Sequence, residues 1–242
     1  MIPKVIHLTC KDKKLPSLFK RNRKSLYDLH PAWNILIYDD QDAEKIIATH
    51  YPSLLKIYTS YPHAIQRADI FRIVAIYVFG GFYMDMDVRC LKSLDTLCNN
   101  SLVLGEEKTV NETVRQKLQM EHALRIANFM FGSIPQHPFW LDMIETAIER
   151  SQRTVLTESD IMVSTGPGLI SDVYHNKKHQ YPDINLIKNK DRKCLKNCSD
   201  VPSCHFGDYA SHLHVGSWRW ENKKNPYFNL DFFRHAFGLL NL

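Results

Sequence analysis

Two aspartates one residue apart, Asp85 and Asp87, end the short apolar run Phe82-Tyr83-Met84. Alternate side chains of an extended strand point to one side, so both carboxylates are expected on the same face. Hard, paired carboxylates suit Mg²⁺ or Mn²⁺, which prefer oxygen ligands and keep positions for water and substrate phosphates. Alone, Asp-x-Asp is a weak signal, because caps and surface turns also produce it. The preceding residues sharpen it. Gly80-Gly81 lets the backbone turn where a Cβ would clash. From Ile70 to Phe79 apolar residues go right round a helix, the mark of an interior element. Yet Asp69 and Arg72, three residues apart, put two charges on nearly one face of it, and buried charges need partners. Asp69, Arg72, Asp85 and Asp87 therefore read as one site for a metal and a diphosphate, against the plainer reading of a capped turn facing water.

Other candidates stand further along the chain. His7 lies near the end of the predicted strand Pro3–Leu8, where open α/β sheets place ligands, and it serves either a ligand or the fold. Asn128 is a lone polar residue in the run Ile126–Phe131; it meets a sugar hydroxyl or satisfies backbone at a strand end. Thr165-Gly166-Pro167-Gly168 opens a helix at about Leu169, and its N-terminus can approach a sugar or phosphate or be an ordinary turn. His212 and His214 share a strand face, and either one, as neutral imidazole, can be a third metal ligand. Asp39-Asp40 is explained more cheaply by Asp40 or Asp42 capping the next helix.

These pieces, in order, resemble the Asp-x-Asp glycosyltransferases of family 32, which include the yeast initiating mannosyltransferase. More distantly they resemble the catalytic domain of the large clostridial glucosylating toxins. The matching residues are Ile2-Pro3-Lys4-Val5-Ile6-His7, Ala68-Asp69-Ile70-Phe71-Arg72, Gly80-Gly81-Phe82-Tyr83-Met84-Asp85-Met86-Asp87 and Gly216-Ser217-Trp218. The resemblance implies a GT-A-type nucleotide-sugar fold and transfer of a hexose from a UDP- or GDP-sugar to a hydroxyl acceptor, with retention at the anomeric carbon. It implies Asp85, Asp87 and His212 or His214 around Mn²⁺ or Mg²⁺. His7, Asp69, Arg72, Tyr83, Asn128, Ser217 and Trp218 are implied on the donor, the last two closing over the diphosphate. The family has a Trp soon after the first His, whereas this chain has Leu8-Thr9-Cys10, so its base recognition departs from the pattern.

The elements that must position these groups read as an α/β protein with a mixed, mostly parallel central sheet. A strand Pro3–Leu8, an amphipathic helix Leu15–Leu29, a strand Trp33–Tyr38 and helices over Asp42–His50 and Ser53–Tyr58 precede the central block. After it come strands at Ser101–Gly105 and Ile126–Phe131 and a helix Phe139–Arg150, while Lys108–Gln119 carries little core signal and, by resemblance, shapes the acceptor side. With 242 residues and no linker, one domain over 1–242 is expected. The 44% hydrophobic and 24% charged content is ordinary for a globular chain.

The net charge of +5 is modest, and the local cations from Lys11 to Lys24 read as a solvated helix face with Leu18, Phe19, Leu26 and Leu29 inward, and no nucleic-acid motif accompanies them. No run reaches the ~20 apolar residues of a membrane span, and no signal peptide is legible. The expectation is therefore cytoplasmic, or lumenal if an N-terminal anchor has been removed. Leu230–Leu242 is an amphipathic helix that packs on the core or lies on a membrane surface. Cys194, Cys198, Cys204 and His205 can form a structural Zn²⁺ site, although their gaps lack the tight Cys-x₂-Cys knuckle; free thiols or disulfides are the alternatives. Two other functions compete: a nucleotidyltransferase or other two-metal phosphoryl-transfer enzyme, and a silent sugar-nucleotide-binding protein. The three residues between Gly81 and Asp85 are too few for the first, and the intact aspartates weigh against the second.

Overall fold

The opening apolar run forms β1 (Val5–Thr9), which is followed by α1 (Ser17–Leu29), β2 (Asn34–Tyr38), α2 (Asp40–His50), α3 (Leu55–Ser60) and α4 (Ala64–Phe79). Then come β3 (Gly81–Met84), β4 (Val88–Cys90), β5 (Leu102–Thr109), α5 (Glu112–Lys117), β6 (Leu124–Ile126), β7 (Met130–Ser133), α6 (Pro138–Arg150), α7 (Glu158–Ser164), α8 (Pro167–Lys177), β8 (Ile184–Ile187), β9 (His205–Phe206) and β10 (Ala210–His212). The structure, a computed structural model, describes residues 1–11, 17–117, 120–189 and 205–214. The predicted C-terminal helix, Ser217, Trp218, Cys194, Cys198 and Cys204 lie outside the described residues.

The central sheet runs β2-β1-β3-β7-β5-β6, with β8 on the other side of β5. Strands β1, β2, β3, β5 and β8 point one way and β6 and β7 the other, so the sheet is mixed and mostly parallel, as expected. Its period-2 alternation divides two cores. Phe82, Met84, Val103 and Met130 face one cluster with Leu26 of α1 and Phe206 of β9. Tyr83, Leu102, Leu104 and Phe131 face the other, with α4, Trp140 of α6 and Leu169 of α8. α4 is buried at nearly every position from Asp69 to Ile76, as its all-round apolar sequence requires.

α4 ends against Gly80 (φ 64°) and Gly81 (φ 92°), both in a region that L side chains rarely adopt. A Cβ on Gly81 would stand 2.6 Å from the Val5 carbonyl oxygen, so β3 can begin beside β1 only with glycine there.

Three expectations are corrected. Asp39, not Asp40 or Asp42, caps α2: its carboxylate accepts the N–H groups of Gln41 (3.1 Å) and Asp42 (2.9 Å), and Asp42 reaches back to the Asp39 N–H. The strand expected over Ser101–Gly105 does not end there, because β5 runs on to Thr109 beside β6, tied by the Glu107–Arg125 pair at 3.0 Å. The single strand expected over Ile126–Phe131 is two. Val103 pairs with Gly132 and Glu106 with Ile126, so Leu104 and Gly105 stand opposite residues 127–131, three more than a regular ladder holds. That excess bulges over α4 where Asn128 meets Asp69 and Arg72.

Candidate active site

Asp85 and Asp87 are not on one extended strand. The Val88 N–H donates to the Asp85 carbonyl at 3.0 Å, closing a turn through which the chain leaves the central sheet. It enters a small antiparallel sheet, β4-β10-β9, where Val88 pairs with His212. The turn swings the two carboxylates to different partners: Asp85 toward α4, and Asp87 toward His212 Nε2 at 3.1 Å. Even so, ligand atoms of Asp85, Asp87 and His212 all lie within 4.8 Å of one another. His212 rather than His214 belongs to this set. His212 stacks on Phe129 (4.4 Å between ring centroids), while His214 adopts a positive φ of 48° and meets Phe129 edge-on.

Behind the turn lies a charged network that α4 carries into the interior. The Arg72 guanidinium touches Asp69 at 3.0 Å and Asp85 at 3.2 Å, and donates to the Asn128 carbonyl at 2.6 Å. Asp69 accepts from the Asn128 amide (3.0 Å) and from the Thr165 hydroxyl (2.9 Å). Both Asp69 and Arg72 are 3% exposed, so neither is a surface pair of negligible worth. Tyr83 is fully buried; its hydroxyl donates to Asp85 at 2.7 Å, it shares a hydrogen bond with Thr9 at 2.9 Å, and its ring lies under the Arg72 guanidinium. Asn22 of α1, 2% exposed, donates to the carbonyl of Met86, the middle residue of the turn, at 3.2 Å.

Electrostatics follow the geometry. Burial raises the Asp69 pKa, with Arg72 and the Thr165 hydroxyl opposing. Asp85 is also raised, first by burial, with Arg72 opposing and the Asp87 charge adding. Burial alone would lower Arg72, yet its pKa moves up because Asp85, Tyr83 and Asp69 surround it. His212 is likewise raised against burial by its contact with Asp87. Two carboxylates thus touch one guanidinium with the Asp87 charge nearby, and a divalent cation is the complement that would let all three remain ionised. The donor set of two carboxylates and one imidazole fits Mn²⁺ or Mg²⁺ with positions left for phosphate oxygens. Asp85 and Asp87 keep 25% and 13% side-chain exposure, enough for a ligand to reach them.

His7 is not brought to this cluster. Its ring is fully buried; Nε2 donates to the Gly80 carbonyl at 2.9 Å, which leaves Nδ1 to accept from the Tyr38 hydroxyl at 3.0 Å. The fold takes up both nitrogens. Conversely, Thr9, Asn22 and Phe129 were not singled out from the sequence, and Thr165 was read only within the Thr165–Gly168 stretch, as a sugar or phosphate contact or an ordinary turn. Of the predicted zinc set only His205 is described, in β9.

In fold and site the chain resembles the Asp-x-Asp glycosyltransferases: the family model described as the glycosyltransferase sugar-binding region containing the DXD motif matches residues 16–104. Inositol phosphoceramide mannosyltransferase 2 of Schizosaccharomyces pombe is 31% identical over 183 residues, 76% of this chain and 49% of that protein. Mannosyl phosphorylinositol ceramide synthase SUR1 of Saccharomyces cerevisiae is 30% identical over 224 residues, 93% of this chain and 53% of that one. The chain spans about half the length of these curated relatives. In fold it is similar to the solved PaToxG glycosyltransferase, with a TM-score of 0.53 at 18% identity over 75% of this chain and 70% of that one.

Proposed function

We propose that this chain transfers a hexosyl group, mannose on the strength of its relatives' names, from a nucleoside-diphosphate sugar to a hydroxyl acceptor in a metal-dependent reaction. The observation that carries the reading is the convergence of Asp85, Asp87 and His212 beside the buried Asp69–Arg72–Asn128 network. Asp85, Asp87 and His212 would hold Mn²⁺ or Mg²⁺, whose chemistry is to neutralise charge developing on the departing diphosphate. Asp69 is fixed by Arg72, Asn128 and Thr165 to accept hydrogen bonds from donor hydroxyls. Oδ1 of Asn128 is buried without a hydrogen-bond partner among the described residues and offers a further acceptor. Arg72 holds both Asp69 and Asp85 in register and opposes the rise that burial imposes on their pKa values, a charge-assisted role that suits its fork. Tyr83 and Asn22 act one step back, fixing Asp85 and the turn. Retention at the anomeric carbon follows from the family resemblance, and proton NMR of the product anomer checks it.

The test is donor hydrolysis with GDP- and UDP-sugars, with and without Mn²⁺, for the wild type and Asp87→Asn. The expected result is slow hydrolysis that needs the metal and is lost in the variant while the melting curve is kept. Wild-type turnover in Asp87→Asn, or none with any donor, overturns the reading.

A further inference from the structure

A cleft lies away from the metal triad. It opens between β6, α7 and α8 and encloses about 120 Å³, a small cleft open to solvent. Its lining includes Met120, Glu121, His122, Arg125, Met162 and Asp172. Two stretches of its lining run on in sequence to residues of the charged network. Thr165, whose hydroxyl holds Asp69, lies between the lining residues Val163 and Gly168, and the lining residue Arg125 is three positions from Asn128.

The polar groups in the cleft come as spaced donors and acceptors. Asp172, 7% exposed, has one oxygen held by Arg150 at 2.8 Å, while the other stands 3.8 Å from His122 Nε2. That gap is too wide for a direct hydrogen bond and suits a hydroxyl that meets both. His122 Nε2 is buried with no hydrogen-bond partner among the described residues, and its ring is held by stacking on His175 at 4.0 Å. His175 in turn is fixed by donating to the Leu124 carbonyl at 2.8 Å. Arg125 is anchored to Glu107 and lies against the Met162 sulfur at 3.4 Å. Met120 and Met162 supply apolar surface of the kind that C–H faces pack on.

Glu121, His122 and Asp172 also have metal-compatible spacing, but charge argues otherwise. Asp172 is paired with Arg150 and Glu107 with Arg125, so only the exposed Glu121 would face a cation without a counter-charge already in place. Alternating donors and acceptors beside thioethers instead fit a ring bearing several hydroxyls.

We propose that this cleft is the acceptor subsite and takes a polyhydroxylated ring, one hydroxyl bridging Asp172 and His122, a second meeting Glu121, and the ring's C–H face against Met162. This rests on the transferase reading above, because it is the nearness to Asp69 that makes the bound ring an acceptor.

The experiment is ligand-observed NMR on the full chain with myo-inositol and methyl α-D-mannopyranoside, without donor. The wild type should bind at least one of them. His122→Ala and Glu121→Gln should each weaken it by about fivefold or more, the scale of one lost hydrogen bond, at unchanged melting temperature. With an active donor, acceptor KM should rise by the same factor while donor Kd stays within about twofold. If His122→Ala fails to fold, the exposed Glu121→Gln decides. Absence of polyol binding in the wild type, or equal binding in the folded variants, overturns the proposal. So does saturable Mn²⁺ binding that His122→Ala abolishes, which would make the cleft a cation site. Polyol binding needs no turnover, so a chain that binds polyol through His122 yet hydrolyses no donor would sink the transferase reading and leave the polyol site standing.

Discussion

Arg72 serves three acceptors at once, Asp69, Asp85 and the Asn128 carbonyl, through a planar fork that a lysine ammonium cannot copy. Arg72→Lys is expected to lower donor turnover roughly a hundredfold, the scale of an ångström's misplacement at a reacting centre. Near-wild-type kcat and KM in the purified variant would reduce the residue to an ordinary ion pair. His7 yields a prediction of another kind. Burial lowers its pKa to about 4, although the Gly80 carbonyl pulls it up. The unfolded chain takes up this proton near the ordinary value of 6.5. His7 therefore leaves stability whole above that pH and withdraws it as pH falls toward 4, by about 3 kcal/mol at full extent. NMR should find the His7 ring neutral down to about pH 5; a midpoint near 6.5 would contradict its burial. Much of the residue scale was legible in the sequence. Asp69, Arg72, Asp85 and Asp87 sit close together in the chain, so local pattern alone exposed them. Thr9 and Asn22 were not legible, since each acts through one contact 64 or more residues away and no spacing announces it.

At the scale of elements, the Gly-Gly corner is the joint on which the site depends. It ends α4, which carries Asp69 and Arg72, and starts β3, which carries Tyr83 and delivers Asp85. Gly81→Ala would need the left-handed backbone at φ 92° and a Cβ 2.6 Å from the Val5 carbonyl oxygen. The expected result is loss of soluble folded protein or a melting temperature lower by many degrees, read from a thermal scan; a near-normal melt would show that the corner relaxes at little cost. The sequence marked this corner because glycine pairs are rare and informative. It did not mark the bulge at 127–129 or the short strands β4, β6, β9 and β10. A bulge is defined only against its partner strand, and strands of two or three residues are too short for any period. The choice between His212 and His214 had the same limit, because register against Val88 settles it.

For the whole molecule, no helix among the described residues is long and apolar enough to cross a membrane. Where described, the cations of α1 meet partners on their own helix: the exposed Lys24 pairs with Asp28 at 2.6 Å and the half-buried Arg23 lies over Tyr27. Cation binding should register across the entire fold, because an ion that binds only the folded state stabilises it by mass action. At a hundredfold excess over Kd the gain is about 2.7 kcal/mol, or a rise of about 5–10 °C for a chain of this size. Mn²⁺ should therefore raise the wild-type melting temperature by this order and leave Asp87→Asn unmoved; equal shifts in both would place the ion elsewhere.

The turn that passes the chain from the central sheet to the small one has a consequence for the order in which the protein is made. Asp87 meets His212 across 125 residues, whereas Asp69, Arg72, Asp85 and Asn128 fall within one 60-residue stretch. A chain emerging from the ribosome can assemble the guanidinium–carboxylate half of the site while the imidazole half is still untranslated. Long loops close late in folding, so competence to hold a cation waits until β9 and β10 have been made and have docked beside β4.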